Sequence, residues 1–100
     1  MQINRLKGRE LEQFFAAILS LENISECYTF FDDLCTVNEL QSIVQRLEVA
    51  RMLKEGNTYQ KIETQTGAST ATISRVKRSV SFGNNSYDFI FDRINQGKEG

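Results

Sequence analysis

The stretch "TGASTATISRVKRS", Thr66 to Ser79, decides how the rest of this chain is read. Gly67 supplies a residue that tolerates positive φ, as a tight turn between helices demands. Ser69 stands where its hydroxyl can cap the amides of a helix running "TATISRVKRSV". Just upstream, Thr58 is placed to cap "YQKIETQT", which Gly67 then ends. Two short capped helices around a glycine must bury one narrow apolar stripe between them. Ala68, Ile73 and Val76 form that stripe on the second helix, with Ile62 of the first facing them. This spacing predicts a helix-turn-helix over residues 58–80.

The remaining face of the second helix carries Ser69, Thr70, Ala71, Ser74, Arg75 and Arg78, with Lys77 beside them. Small residues at a helix start let the backbone approach base edges, where Ser and Thr can donate or accept. Ser69, Thr70 and the helix amides also suit a phosphate. Arg75 has the fork that reads guanine or clamps phosphate, while Lys77 and Arg78 suit backbone phosphates. Lys61 on the first helix adds another such contact. The blander reading is that cations simply favour a helix C-terminus. The two capped helices, the glycine and "ATISR" together point to double-stranded DNA. A helix pair that docks a protein is the alternative.

Working outward, the clearest local signal upstream is "TVNE", a capping box of Thr36 and Glu39. It starts a long helix, "LQSIVQRLEVARMLKEG", with Leu40, Ile43, Val44, Leu47, Ala50 and Leu53 on one face and Gly56 as its stop. "GRELEQFFAAILSLEN" sets Leu11, Phe14, Phe15, Ile18 and Leu19 along one side. "SECYTFFDDL" repeats the pattern with Tyr28, Phe31 and Leu34, and Ser25 as its expected cap. After the polar break "SFGNNS", the run "SYDFIFDRINQ" carries Tyr87, Ile90, Phe91 and Ile94, with Ser86 as its expected cap. The expectation is one all-α domain over residues 1–100, with six helices and no sheet.

The chain has 100 residues, 40% of them hydrophobic and 25% charged, which suits a folded domain with a modest core. No apolar run is long enough to span a membrane. The opening "MQINRLKGRELEQFF" lacks the apolar core of a secretion signal, so a cytoplasmic protein, associated with the nucleoid when DNA-bound, is expected. The net charge of −1 hides an asymmetry: residues 1–40 sum to −4, residues 41–80 to +4 and the last twenty to −1. A basic middle can meet a polyanion while the rest stays acidic. Cys27 and Cys35 read as reduced, small core residues. With no histidine and no third cysteine, no metal site is expected. Without a histidine, a Gly-rich phosphate loop or a nucleophile–base arrangement, no enzyme is expected either. The Asp32–Asp33 pair suits the positive start of the long helix.

From about Asp33 to Ser81 the sequence resembles the tryptophan repressor superfamily, close to its YerC/YecD-type branch. The resemblance rests on "DLCTVNELQSIVQRLEVARMLKEG" followed by "TYQKIETQTGASTATISRVKRS", whose "TISR" (Thr72 to Arg75) matches the family's "T-I-T-R"-like recognition helix. It implies an all-helical, interleaved homodimer acting as a bacterial transcription repressor. Helices over about 9–56 and 86–96 would then build the shared core around the helix-turn-helix. It also implies an effector pocket at Thr36, Arg46, Arg75 and Val76, the two arginines matching those that sandwich tryptophan in the repressor. There the residue after the second arginine is glycine. Here it is Val76, whose side chain fills space an indole needs. No cofactor is expected; a small-molecule corepressor is the alternative, with L-tryptophan disfavoured by Val76, and Arg46 reads equally as a surface residue of the long helix.

Overall fold

A computed structural model describes residues 2–6 and 8–99. After a 3-10 turn at Gln2–Leu6, six α-helices follow: α1 (Arg9–Leu19), α2 (Ile24–Leu34), α3 (Val37–Lys54), α4 (Tyr59–Thr66), α5 (Thr70–Phe82) and α6 (Ser86–Glu99). Among the described residues there is no strand. The all-α architecture is the one expected, and each boundary has a local cause. Asn23 caps α2, its Oδ1 accepting from the Glu26 amide at 2.8 Å, while Glu26 Oε1 accepts from the Glu22 amide. Ser25, the expected cap, instead lies inside the helix, where its carbonyl accepts from Thr29 Oγ1. Either residue type can cap, and the amide acceptor two positions earlier wins.

Helix α3 ends at a glycine for a geometric reason. Gly56 adopts φ +85°, its amide bonds to the Leu53 carbonyl and the Asn57 amide reaches back to Met52 O. This pair of bonds satisfies carbonyls that would otherwise be orphaned. Gly67 plays the same part after α4, at φ +74°. Thr58 caps α4 through the Lys61 amide, and Ser69 caps α5 through the Thr72 amide at 3.1 Å. Helix α5 runs two residues past its expected end, so the break before α6 is only Gly83–Asn84–Asn85. Ser86 is the first residue of α6, not a residue ahead of it, and α6 continues to Glu99.

The chain forms two compact units, Met1–Val37 and Asn38–Gly100. In the second, Val49, Ala50 and Met52 of α3 close over Ile62 of α4, Ala68 of the turn, and Ile73 and Val76 of α5. Leu53, Tyr59, Val80, Tyr87 and Phe91 pack around this centre. In the first unit, neither α1 nor α2 buries a single residue. Cys27 and Cys35 there are free thiols, half-buried.

The long helix departs from its expected face. Of the stripe Leu40, Ile43, Val44, Leu47, Ala50 and Leu53, only Ala50 is buried, and Ile43, Val44 and Leu47 are exposed. The buried set is Val49, Ala50 and Met52, rotated to the side that meets α4 and α5. Helix α3 thus bears two apolar stripes, one in this core and one outside it. No described helix is long and apolar enough to cross a membrane.

Candidate nucleic-acid interface

The helix pair is held from inside and from its turn. Ile62 and Ile73 are fully buried, and Ala68 and Val76 nearly so, which fixes the roll of α5 about its axis. At the turn, Thr66 Oγ1 donates to the Ile62 carbonyl and accepts from the Ala68 amide at 3.1 Å. Gln45 of α3 reaches in, its Nε2 donating to the Thr66 carbonyl. With the apolar stripe turned inward, Ser69, Thr70, Ala71, Ser74, Arg75, Lys77 and Arg78 are all exposed, as is Lys61 on α4. Ala71, Ser74, Arg75 and Arg78 recur at intervals of three and four, which lines them along one helix face.

The hydroxyls are not equally available. Ser69 accepts from the Thr72 amide and donates to Thr72 Oγ1 at 3.2 Å, so its proton is spent inside the cap. Thr70 donates to Glu63 Oε1 across the turn. Glu63 was not among the residues singled out from sequence. The signal for it was present: it is the sole carboxylate between Thr58 and Phe82, against four cations.

Two cations of α3, Arg51 and Lys54, are engaged in ion pairs. Arg51 bonds Glu48 through Nε at 3.0 Å and Glu55 through Nη1 at 2.6 Å. Those two hydrogen bonds raise the Arg51 guanidinium above its ordinary range, the Glu48 bond contributing most. The same bond lowers the Glu48 carboxyl below its usual value, against partial burial. Lys54 pairs with Asp88 of α6. By contrast, none of Lys61, Arg75, Lys77 and Arg78 forms an ion pair among the described residues. Four exposed cations without ion pairs on the two helices suit a polyanion.

Each residue expected to hold an effector has its own local setting. Arg46 folds back on its own helix, Nε donating to the Ser42 carbonyl at 3.3 Å and Nη2 approaching Ser42 Oγ at 3.4 Å. Val76 is 3% exposed and belongs to the core cluster. Thr36 lies exposed at the start of α3, and Arg75 on the outer face of α5. An open groove of about 540 Å³ does run along α3 and the end of α4, lined by Asn38, Gln41, Ser42, Val44, Gln45, Glu48 and Thr66. None of the four expected effector residues lines it.

A buried stripe, a positive-φ glycine and an outward basic helix define a helix-turn-helix regulator of the DNA-binding type. The chain belongs to the Trp repressor protein family, whose model matches residues 9–95. It is 66% identical over 96 residues to the uncharacterized protein YerC of Bacillus subtilis (strain 168), covering 96% of this chain and 92% of that protein. Among solved structures it is similar to a candidate Trp repressor from Staphylococcus aureus, with TM-score 0.91, 63% identity and 95% of each chain covered. A TrpR like protein from Eubacterium eligens ATCC 27750 matches with TM-score 0.89 and 55% identity, over 92% of this chain and 95% of that one. The family is one of regulators, not of enzymes.

Proposed function

We propose that this protein is a dimeric, sequence-specific transcription repressor that reads the major groove of double-stranded DNA with α5. In this reading it acts in the cytoplasm, on the nucleoid. The observation that carries the proposal is that Lys61, Arg75, Lys77 and Arg78 of the helix pair stand exposed without carboxylate partners among the described residues. Ser74 and Arg75 face base edges, Ala71 gives close approach, and Ser69 holds the helix start. Lys61, Lys77 and Arg78 hold phosphates, which supplies affinity and salt dependence without sequence information.

The dimer is supported by what the fold leaves uncovered. Leu19 is 84% exposed, Ile24 73% and Tyr28 77%, and Ile43, Val44 and Leu47 of the outer stripe of α3 are exposed as well. Apolar surface of that extent marks an association surface. A second copy covers it under two-fold symmetry and makes residues 1–100 one domain of a shared core. Tryptophan is not the effector in this reading. Val76 already fills the core next to Arg75, and overpacking such a site costs about 1–3 kcal/mol.

Selecting duplexes from a random library at about 150 mM salt, with and without L-tryptophan, tests the proposal. The expected product is a palindrome with half-sites about one helical turn apart, enriched equally in both conditions. Enrichment only with tryptophan contradicts the reading of Val76. No enrichment in either condition moves the helix pair to protein docking.

A further inference from the structure

The pair Glu63–Thr70 is not explained by folding alone. Glu63 is the one carboxylate within a segment that carries four cations, and it stands across the turn from Thr70, the first residue of α5. A negative charge there repels phosphates and weakens binding to every sequence alike. It does not cap α5, because Ser69 already does. What it does is accept the hydroxyl proton of Thr70, the first residue of the recognition helix, in a bond that lies exposed at the surface.

A threonine hydroxyl has one proton and two lone pairs. Free to rotate, it donates to a keto base or accepts from an amino base and so distinguishes poorly between them. With its proton committed to a carboxylate, which itself only accepts, Thr70 Oγ1 offers lone pairs alone. In the major groove the donors are the N4 amino group of cytosine and the N6 amino group of adenine. Guanine O6 and thymine O4 are acceptors and meet an acceptor unfavourably.

Resting on the DNA-reading function above, we propose that Glu63 is a positioning residue for sequence specificity. It fixes the Thr70 hydroxyl as an acceptor, so that one position in each half-site takes adenine or cytosine on the contacted strand and rejects guanine and thymine. The repulsion it costs against phosphate falls on all sequences, so its net effect is to trade affinity for discrimination.

The test repeats the duplex selection with the full-length protein and with Glu63→Gln, Glu63→Ala and Thr70→Val. Wild type is expected to show one column per half-site restricted to adenine or cytosine, with a preference of about fivefold to tenfold, as one well-made hydrogen bond supplies. In all three variants that column should relax to less than about twofold while the remaining columns hold. Binding of the two Glu63 variants to bulk DNA should rise uniformly. Thr70→Val keeps the helix start and its shape, so it separates loss of the hydroxyl from loss of folding. A bulk rise with an unchanged column makes Glu63 a purely electrostatic residue and overturns the proposal. So does a wild-type pattern with no adenine-or-cytosine column. No enriched duplex at all overturns the DNA reading, and this inference with it.

Discussion

Helices α1 and α2 are richer in apolar residues than the helix-turn-helix, yet only the latter has a core. Thirteen of the 22 residues in α1 and α2 are apolar, against eight of the 25 from Thr58 to Phe82. None of the thirteen is buried, while Ile62, Ala68, Ile73 and Val76 all are. Burial follows from having a complementary surface, not from hydrophobicity. The helix pair and the last turns of α3 complete one another within one chain. The amino-terminal helices present apolar faces that this chain's own core does not use, and a second copy is the occupant proposed for them.

Four substitutions would break or sharpen this contrast. The largest effect belongs to the closed core. Ile73→Ala removes a fully buried side chain at the centre of the cluster and should cost about 2–5 kcal/mol in a urea or thermal melt. A loss under about 1 kcal/mol would mean that this core is looser than its burial indicates. Leu19→Asp acts on the other region. Leu19 is exposed within the chain, so the monomer should scarcely notice, but the dimer should weaken about 10- to 100-fold by sedimentation. An unchanged dimer would place the association surface elsewhere.

Gly67→Ala probes the turn that orients the two helices. The added Cβ meets nothing within 4 Å, so the cost is backbone strain at φ +74°, about 1–2 kcal/mol in the same melt. The smallest effect is at Glu48, half-buried on α3. Its bond to Arg51 should contribute less than about 0.5 kcal/mol, since both side chains are largely solvated. Because the folded-state value is lowered, the contribution is present above about pH 4.5, the ordinary value, and fades as pH falls through the folded one. Glu48→Gln should therefore leave stability nearly unchanged at pH 7 and remove what little acid sensitivity this pair adds.

The contrast also explains what the sequence disclosed. Thr58, Gly67, Ser69 and the stripe Ile62, Ala68, Ile73 and Val76 were legible because caps, positive φ and helical spacing act within a few residues. Six helices followed from the same signals repeated. What was not legible depends on distant surfaces. Periodicity put Ile43, Leu47 and Ala50 of α3 on one face, but nothing local says which face of a doubly apolar helix meets α4 and α5. Asn23 and Ser25 are equally good caps by type, and only the geometry of the entering chain chooses between them. The Glu63–Thr70 bond crosses a turn whose angle must be known first. The effector residues carried by the resemblance have no local signal of their own in the chain, and Val76 serves the core.

The outer face of α5 is proposed to read sequence while its flanking cations only hold the backbone. Equilibrium binding of wild type, Arg75→Ala and Arg78→Ala to a selected duplex and to bulk DNA, across a salt series, tests it most directly. Arg75→Ala should lose about 1–3 kcal/mol on the selected duplex and much less on bulk DNA. Arg78→Ala should weaken both alike and reduce the salt slope by about one. Identical losses on both DNAs for both variants would contradict the claim.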